Sequence, residues 1–332
     1  MDWFEKLTGF PEESPQQVRK NLVVEDKKVR SLVNNKTWIA GTLETPSLGE
    51  LRQRVQGLSK SGKLSLREIV ADVQNLHTDP ANTGALFQVA SQFNLLEMVD
   101  PRRVPEQGVG IYAHDCTQGP ACAVACGAGT IYRNYFVPVN GQIGQSTANQ
   151  IDCLADLGKA WRNSQNNLWQ MKNGYALASH QGLKTISQRL QTLKEPERDE
   201  LRKLLRIGIQ WQTQVTLEDC QHQVSQAYCS ALPVAYSPVS AELWSQFARL
   251  ILEASYEATI CAAILNAQVH GNNQLFLTLL GGGAFGNVTS WIVESIARAL
   301  LLYQNVDLDV AIVSYGSAKP AVNKLIESLN NT

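Results

Sequence analysis

A cluster of glycines late in the chain is the first feature that could serve a ligand. Residues 281–287 read GGGAFGN, with four glycines around one phenylalanine. The run 274–280 before it is rich in β-formers, and Ile292, Ile296 and Ala299 after it recur at helical spacing. Glycine lets the backbone approach a ligand, and the first amides of a helix carry partial positive charge. This strand-to-helix turn therefore predicts a phosphate or diphosphate site.

The same turn has a purely structural alternative, because glycine is common in loops. It matches neither the dinucleotide pattern GxGxxG nor a P-loop, since no Lys-Ser or Lys-Thr pair follows. Phe285 favours a ligand role, because a large apolar side chain in such a loop usually covers a ring. Asn287, Thr289 or Ser290 could cap the helix that follows.

Two polar residues follow other predicted strands. Asp72 lies in LREIVADV, where a carboxylate can accept from an exocyclic amine such as that of adenine, or can simply cap a turn. Asn94 directly follows ALFQVASQF, where an amide can bind hydroxyls as donor and acceptor, or can end a turn.

The segment 111–130, IYAHDCTQGPACAVACGAGT, predicts a second loop that faces an anion. Small residues after Gly119 would leave the amides of a helix start accessible. Asp115 precedes them and is either a functional carboxylate or a helix cap. His114 could polarise a nearby group, although a lone histidine is more often structural.

The composition limits the kind of protein this can be. Twenty-nine basic and thirty acidic residues are nearly balanced, which does not favour binding to nucleic acid or to an anionic membrane. No secretion signal is evident, and no apolar run approaches eighteen residues. The seven cysteines include no CxxC pair and the five histidines are scattered, so we expect free thiols, no metal and a cytoplasmic protein.

Helical and strand patterns alternate mainly in the second half, which predicts an α/β fold: a mixed central sheet with helices on both faces. An antiparallel β meander is expected at the front, with turns at 26–28 and 34–35. Further expected elements are helices at 47–56, 149–162, 180–203 and 244–266, a hairpin around Asn173-Gly174, and strands within 206–215 and 224–236. Ligands of such sheets lie beyond the carboxyl ends of parallel strands, where the four segments above would meet.

These motifs together resemble the macrodomain family, which binds ADP-ribose. The turn GGGAFGN is similar to a diphosphate loop of poly(ADP-ribose) glycohydrolases. The stretches GVGIYAHDCTQGPACA and IYRNYF look closest to large effector-type macrodomain hydrolases that remove ADP-ribose from proteins, ubiquitin among them. The resemblance implies a macrodomain-like three-layer sandwich at 37–332, after an N-terminal extension at 1–36. It would carry inserted loops at about 100–147 and a hairpin and helical insertion at about 149–203.

The resemblance also implies roles for individual residues. Asp72 would accept from the adenine amine, Asn94 would bind the distal ribose, Phe285 would lie against that ribose, and Tyr315 could stack on adenine. The two diphosphate loops would comprise Thr117, Gln118, Gly119, Pro120, Ala121 and Cys122, and Gly281, Gly282, Gly283, Ala284, Phe285, Gly286 and Asn287.

The sequence offers three candidates for the catalytic acid. The glycohydrolases carry a triple-glycine loop followed by two glutamates after the first asparagine strand, and nothing here repeats that spacing. The available acids are Asp115 first, then Glu106 and Glu97, although either glutamate could simply face water. Glycosidic cleavage needs one carboxylate to stabilise an oxocarbenium-like state and another to protonate the leaving group or activate water. An arginine guanidinium would be a leaving group that benefits from such help.

The expected activity is hydrolysis of the bond between ADP-ribose and a modified protein side chain, without a cofactor. A module that binds ADP-ribose without cutting it is the alternative, because pocket and catalysis are separable.

Overall fold

The computed structural model of the protein describes residues 2–58 and 62–330. The strands are β1 Leu22–Glu25, β2 Lys28–Ser31, β3 Thr37–Ile39, β4 Thr42–Glu44, β5 Ser65–Val70, β6 Leu86–Ala90, β7 Pro138–Val139, β8 Gln142–Ile143, β9 Trp169–Lys172, β10 Tyr175–Ala178, β11 Gly208–Gln214, β12 Gln223–Cys229, β13 Gln274–Leu277 and β14 Asp309–Ser314. The α-helices are α1 Trp3–Thr8, α2 Pro15–Asn21, α3 Leu48–Val55, α4 Val73–Thr78, α5 Gln118–Ala125, α6 Gly127–Tyr135, α7 Ala155–Ala160, α8 His180–Thr192, α9 Glu195–Arg202, α10 Ala241–His270, α11 Thr289–Leu302 and α12 Pro320–Asn330.

The central sheet is mixed, as the sequence predicts. Within the described residues it has seven strands in the order β4-β11-β12-β6-β13-β14-β5. Neighbours from β12 to β5 run parallel, whereas β11 and β4 are antiparallel additions at one edge. The carboxyl ends of five parallel strands therefore meet at one edge of the sheet, where ligands of open α/β sheets bind.

Helices cover both faces of this sheet, and neighbouring residues of β6 demonstrate it. Successive side chains of a strand point to opposite faces. The ring of Phe87 stacks on His77 of α4, 3.9 Å between centroids, whereas the amide of Gln88 donates to Thr259 of α10. The architecture is therefore the expected three layers, helix, sheet and helix.

Helix α10 is the core of one outer layer and packs against α3, α8, α9 and α11. It is long and apolar enough to cross a membrane by length and composition, but 83% of its most apolar window is buried inside the protein. Burial among neighbouring helices accounts for its apolar composition.

The N-terminal meander is antiparallel, as predicted, and the structure shows it as a sheet of its own, β1-β2-β3. Its residues share a second core with α5, α6 and the segment after β6, in which Phe4, Val29 and Trp38 pack near Met98 and Tyr135. The boundary expected after residue 36 falls between β2 and β3 of this one sheet. The first 40 residues therefore cover part of the molecule that carries the site.

Several expected elements are wrong in extent. The region 100–147, expected as long loops, contains α5 and α6, whose small residues pack closely and hide the helical pattern. Only Ala155–Ala160 is helical within 149–162. The strand expected at 224–236 ends at Cys229, and Pro233, which cannot donate a ladder hydrogen bond, lies beyond it. None of the predicted caps holds α11, whose N-cap is Val288.

Candidate functional site

The candidate site opens where two parallel strands separate. Strands β6 and β13 pair only at Leu86 and Phe87, whereas β6 pairs with β12 along its whole length. Beyond that point the side chain of Gln118 binds the backbone of β6. Its oxygen accepts from the amide of Ala90 at 2.8 Å, and its nitrogen donates to the carbonyl of Gln88 at 2.8 Å. The crevice is therefore the gap between β6 and β13 beyond Phe87.

A cavity of about 200 Å³ fills this crevice. Segments that follow β6, β12 and β13 line it, together with the start of α5 and the hairpin strand β10. The lining residues are Ala90, Ser91, Gln92, Glu97, Met98, Val99, Asp115, Thr117, Gln118, Gly119, Pro120, Tyr175, Ala231, Tyr236, Thr278, Leu279, Leu280, Gly281, Gly283, Ala284 and Phe285. The two predicted diphosphate loops thus face each other across one cavity.

The first loop ends in the start of α5, which lies directly against the end of β6. A Cβ on Gly119 would be 1.9 Å from the carbonyl oxygen of Ala90, so only glycine fits there. Thr117 is the N-cap residue and its side chain makes no cap hydrogen bond. Among the described residues, no acceptor is bound by the amides of Gln118 and Gly119, which leaves them available to an anion.

The second loop is a turn closed at its base by Asn287. The amide N–H of Asn287 donates to the carbonyl of Gly281 at 2.9 Å, and its side chain donates to that of Leu232 at 2.8 Å. Gly281 has φ +75°, and a Cβ there would be 2.4 Å from the Cβ of Ala231. In the described structure the amides of Gly283 and Ala284 bind no protein acceptor. Helix α11 starts only at Thr289, so these amides belong to the turn and not, as the sequence suggested, to the helix start.

Glu97 is the acid that lies deepest in the cavity wall. Its side chain is fully buried, and within the described protein neither carboxyl oxygen has a hydrogen-bond partner. Burial raises the pKa of Glu97 to about 7, although the guanidinium of Arg133, 3.5 Å from Oε2, opposes the rise. A carboxyl of this kind is half protonated near neutral pH, as a general acid requires.

Asp115 lines the same cavity, but its surroundings differ from those of the fully buried Glu97. It is half-buried, and its Oδ1 accepts from the amide of Thr117 at 2.9 Å. The carboxyl group of Asp115 is therefore reached by water and bound by an amide donor. Two acids in contrasting surroundings therefore face one ligand space.

Three aromatic rings form one wall of the cavity. The rings of Tyr175, Tyr236 and Phe285 contact one another with centroids 5.3 to 5.6 Å apart. Sequence reasoning identified Phe285 but missed both tyrosines, which come from the hairpin strand β10 and the turn after β12. Tyr236 follows a strand that ends at the site, and that position is the signal that would have identified it.

Two sequence-predicted residues are used elsewhere and lie outside the cavity lining. Asn94 is fully buried, where its amide donates to Gln150 and its Oδ1 accepts from the amide of Leu96. Glu106 accepts from both the amide and the hydroxyl of Thr147, at 2.8 and 2.9 Å. Both side chains are hydrogen-bonded within the protein, and the structure does not bring them into the cavity that Glu97 and Asp115 line.

The remaining predicted ligand residues surround the cavity without lining it. Asp72 and Tyr315 are exposed beyond the ends of β5 and β14, on the same sheet edge, and Asp72 also caps α4 by accepting from the amide of Gln74. The other such residues are Ala121, Cys122, Gly282, Gly286 and Asn287.

Other features of the structure do not compete with this site. A larger cavity of about 490 Å³ lies beside α3, but its charged residues Arg52 and Asp199 are paired with each other at 2.6 Å. Each of the seven cysteines is a free thiol. Among the described residues, no group of His, Cys, Asp and Glu side chains is arranged to hold a metal ion.

Comparison with known proteins finds similarity only among solved structures. No protein-family model and no curated protein matches the chain. The poly(ADP-ribose) glycohydrolase of Deinococcus radiodurans in complex with ADP-ribose is 11% identical over 87% of this chain and 95% of that one, with a TM-score of 0.45. The poly(ADP-ribose) glycohydrolase of Thermomonospora curvata bound to the inhibitor ADP-HPD is 10% identical over 96% of each chain, with a TM-score of 0.44. Likeness at this level assigns no activity, which has to come from the site itself.

Proposed function

We propose that the protein is an ADP-ribosyl hydrolase. It binds ADP-ribose between the loop 117–122 and the turn 281–286, and it cleaves the glycosidic bond between the distal ribose and a modified protein side chain. The observation that carries this proposal is that Glu97 and Asp115 line the same cavity as both loops. A cradle of free amides suits a diphosphate, and an adjoining pair of acids suits glycosidic cleavage.

The ligand would lie along the sheet edge in a defined direction. The diphosphate would accept from the free amides of Gly119, Gly283 and Ala284. The distal ribose would lie against the aromatic wall at Phe285, within reach of Glu97. The adenine would extend toward the ends of β5 and β14, where Asp72 and the exposed ring of Tyr315 offer an acceptor and a stacking surface.

The two acids would divide the chemistry between them. Protonated Glu97 donates its proton to the leaving group as the bond to the anomeric carbon breaks, and the charge of Asp115 stabilises the oxocarbenium-like state. Water then adds to the anomeric carbon and gives its proton to a carboxylate. Exchange of protons with solvent restores neutral Glu97 and ionised Asp115. The products are free ADP-ribose and the unmodified side chain.

The proposal also concerns which amino-acid side chain carries the ADP-ribose. Arginine is one candidate, because a guanidinium would be matched by the negative charge of Asp115 at the cavity. An ester-linked glutamate is the other, because a carboxylate leaves readily from an anomeric carbon whose developing positive charge Asp115 stabilises. The modified protein, with ubiquitin as one possibility by resemblance, would approach from the exposed side of this cavity.

Release of free ADP-ribose from an arginine-modified and a glutamate-modified protein tests the proposal. We expect release from at least one substrate, and a loss of about 100-fold or more in kcat for Glu97→Gln and for Asp115→Asn, the usual contribution of a positioned acid or base. The affinity for ADP-ribose should change little, because neither acid belongs to the diphosphate cradle.

Glu106→Gln is the matched control. It removes a carboxylate from the same sequence region without touching the cavity, so kcat should stay within about twofold. Binding of ADP-ribose without any release by the wild-type protein would contradict hydrolysis and identify a binding module instead.

A further inference from the structure

The N-terminal segment contacts the chain that leads to Asp115 through a partly buried carboxylate. The Oε1 atom of Glu12 accepts from the amide of Val109 at 3.0 Å and from the hydroxyl of Tyr135 at 2.6 Å. Its Oε2 atom accepts from the amide of Gly110 at 2.6 Å. The indole of Trp3 donates to the carbonyl of Val109 at 3.1 Å. Residue 109 is thus held at both its amide and its carbonyl by side chains from the first twelve residues.

The chain at this contact is shaped to receive Glu12. Gly108 has φ +87°, and a Cβ on it would be 2.3 Å from Oε2 of Glu12. A Cβ on Gly110 would be 2.6 Å from Oδ2 of Asp2 and 3.0 Å from Oε2 of Glu12. The motif Gly108-Val109-Gly110 therefore lets a carboxylate lie close to two consecutive amides, an arrangement that side chains would block.

We call the contacts of Glu12 and Trp3 with residues 109–110 the clamp. The turn that begins there contacts or contains both acids of the cavity. Gly110–His114 is a 3-10 turn, and Asp115 closes it with its amide bound to the carbonyl of Tyr112. The hydroxyl of Tyr112 in the same turn accepts from the amide of Glu97 at 3.1 Å. One end of the clamped turn therefore presents Asp115, and its middle fixes the backbone of Glu97.

We infer that Glu12, assisted by Trp3, is a positioning residue that sets the placement of Asp115 and Glu97 through the turn 109–115. The inference rests on the proposed function for its kinetic consequence, but its structural part is independent of that function. The diphosphate cradle has its own anchors, since Gln118 fixes α5 to β6 and Asn287 closes the turn after β13. Loss of the clamp should therefore affect catalysis more than ligand binding.

The test compares Glu12→Gln with Thr8→Val. Glutamine keeps the size of Glu12 but turns one acceptor into a donor that faces an amide or hydroxyl donor. Thr8→Val removes buried hydrogen bonds to the carbonyls of Phe4 and Phe10 in the same segment, without touching the turn. Both variants are measured at temperatures equally far below their own melting points.

For Glu12→Gln we expect kcat for ADP-ribose release to fall about 10-fold, which corresponds to about 1.4 kcal/mol. The affinity for ADP-ribose should stay within about twofold, and the amide hydrogen exchange of residues 108–115 should speed up by about 10-fold. Thr8→Val should leave all three quantities near wild type.

Equal effects of the two variants on kcat and on exchange at 108–115 would overturn the inference and leave Glu12 as a general stabilising group. Unchanged exchange in Glu12→Gln would overturn it as well. If the wild-type protein releases no ADP-ribose, the proposed function fails, and the exchange measurement still decides whether Glu12 holds this turn.

Discussion

At the scale of residues, the proposed glycosidic cleavage depends on the different surroundings of two acids. Glu97 is enclosed beside Arg133, so its neutral form persists to a pH near 7, whereas Asp115 is half-buried and bound by an amide. Environments that separate two carboxyl groups in this way are how proteins assign acid and charged roles. Chemistry at this site therefore depends on burial as much as on residue type.

The raised pKa of Glu97 predicts a pH dependence of stability. The folded protein holds the proton of Glu97 up to about pH 7, whereas the unfolded chain releases it near the ordinary value of 4.5. The free energy of unfolding should therefore fall as pH rises from 4.5 to 7, by roughly 3 kcal/mol from this residue, and then level off. Glu97→Gln lacks this titration, so denaturant unfolding at pH 5 and pH 8 should show the variant gaining stability relative to wild type at pH 8. An equal difference at both pH values would contradict the assignment.

The same group predicts how the rate varies with pH. Glu97 can donate its proton only in its neutral form, so release of ADP-ribose should decline above pH 7, tenfold per pH unit at the limit. The residual rate of Glu97→Gln should lack that decline. A wild-type rate that stays level above pH 7 would contradict the role of Glu97 as proton donor.

Sequence reasoning identified Asp115 but ranked Glu97 last among the acids. Its position three residues after Asn94 gives no sign of burial, because the enclosing groups Arg133 and Tyr112 come from later in the chain. The burial of Asn94 could not be predicted for the same reason, since its partner Gln150 lies 56 residues away. Residue types and spacing can suggest acids and amides, but long-range partners decide which of them remain free.

At the scale of elements, the site depends on how closely two loops approach the strand ends. Gly119 brings α5 against the end of β6, and Gly281 brings the second loop against Ala231 after β12. The sequence placed both loops at strand ends because glycine content and strand patterns are local signals. It predicted a helix start near Gly119 but not the extent of α5 or the presence of α6, because runs of alanine, glycine and cysteine carry little periodic contrast.

Substitution by alanine should affect ADP-ribose binding differently at two glycines of the same turn. Gly281 has φ +75° and lies against Ala231, so Gly281→Ala should strain the turn by about 1–2 kcal/mol or more and weaken ADP-ribose binding at least 10-fold. Gly283 has open space around its Cβ position and no positive φ, so Gly283→Ala should keep the affinity within about threefold. Calorimetric titration with ADP-ribose measures both. Equal losses would show that the turn does not hold the ligand through its backbone geometry.

At the scale of the whole molecule, the N-terminal 40 residues are part of the structure that carries the site. They bury Met98, Ile131 and Tyr135 from the segment and helices beside the cavity. Sequence reasoning predicted the meander and placed its start in an N-terminal extension at 1–36, but a short sheet carries no sign of what it packs against. Contacts between distant parts of the chain make it integral.

Deletion of residues 1–36 should therefore abolish cooperative folding, since it would expose the second core. Loss of the sharp thermal transition in circular dichroism is the expected result. Insertion of two residues between Asn140 and Gly141 is the control, because that hairpin turn is exposed and nothing surrounds the Cβ position of Gly141. A truncated chain that melts cooperatively near the wild-type temperature would show that the N-terminal segment is dispensable.

The location of ADP-ribose in a crystal of the complex is the most direct test of the account. We predict density for the diphosphate between Gly119 and the turn 281–285, within hydrogen-bond distance of their free amides, with the distal ribose against Phe285 and beside Glu97. Density for the nucleotide in the larger cavity at Arg52 and Asp199, or a distal ribose turned away from Glu97, would contradict it.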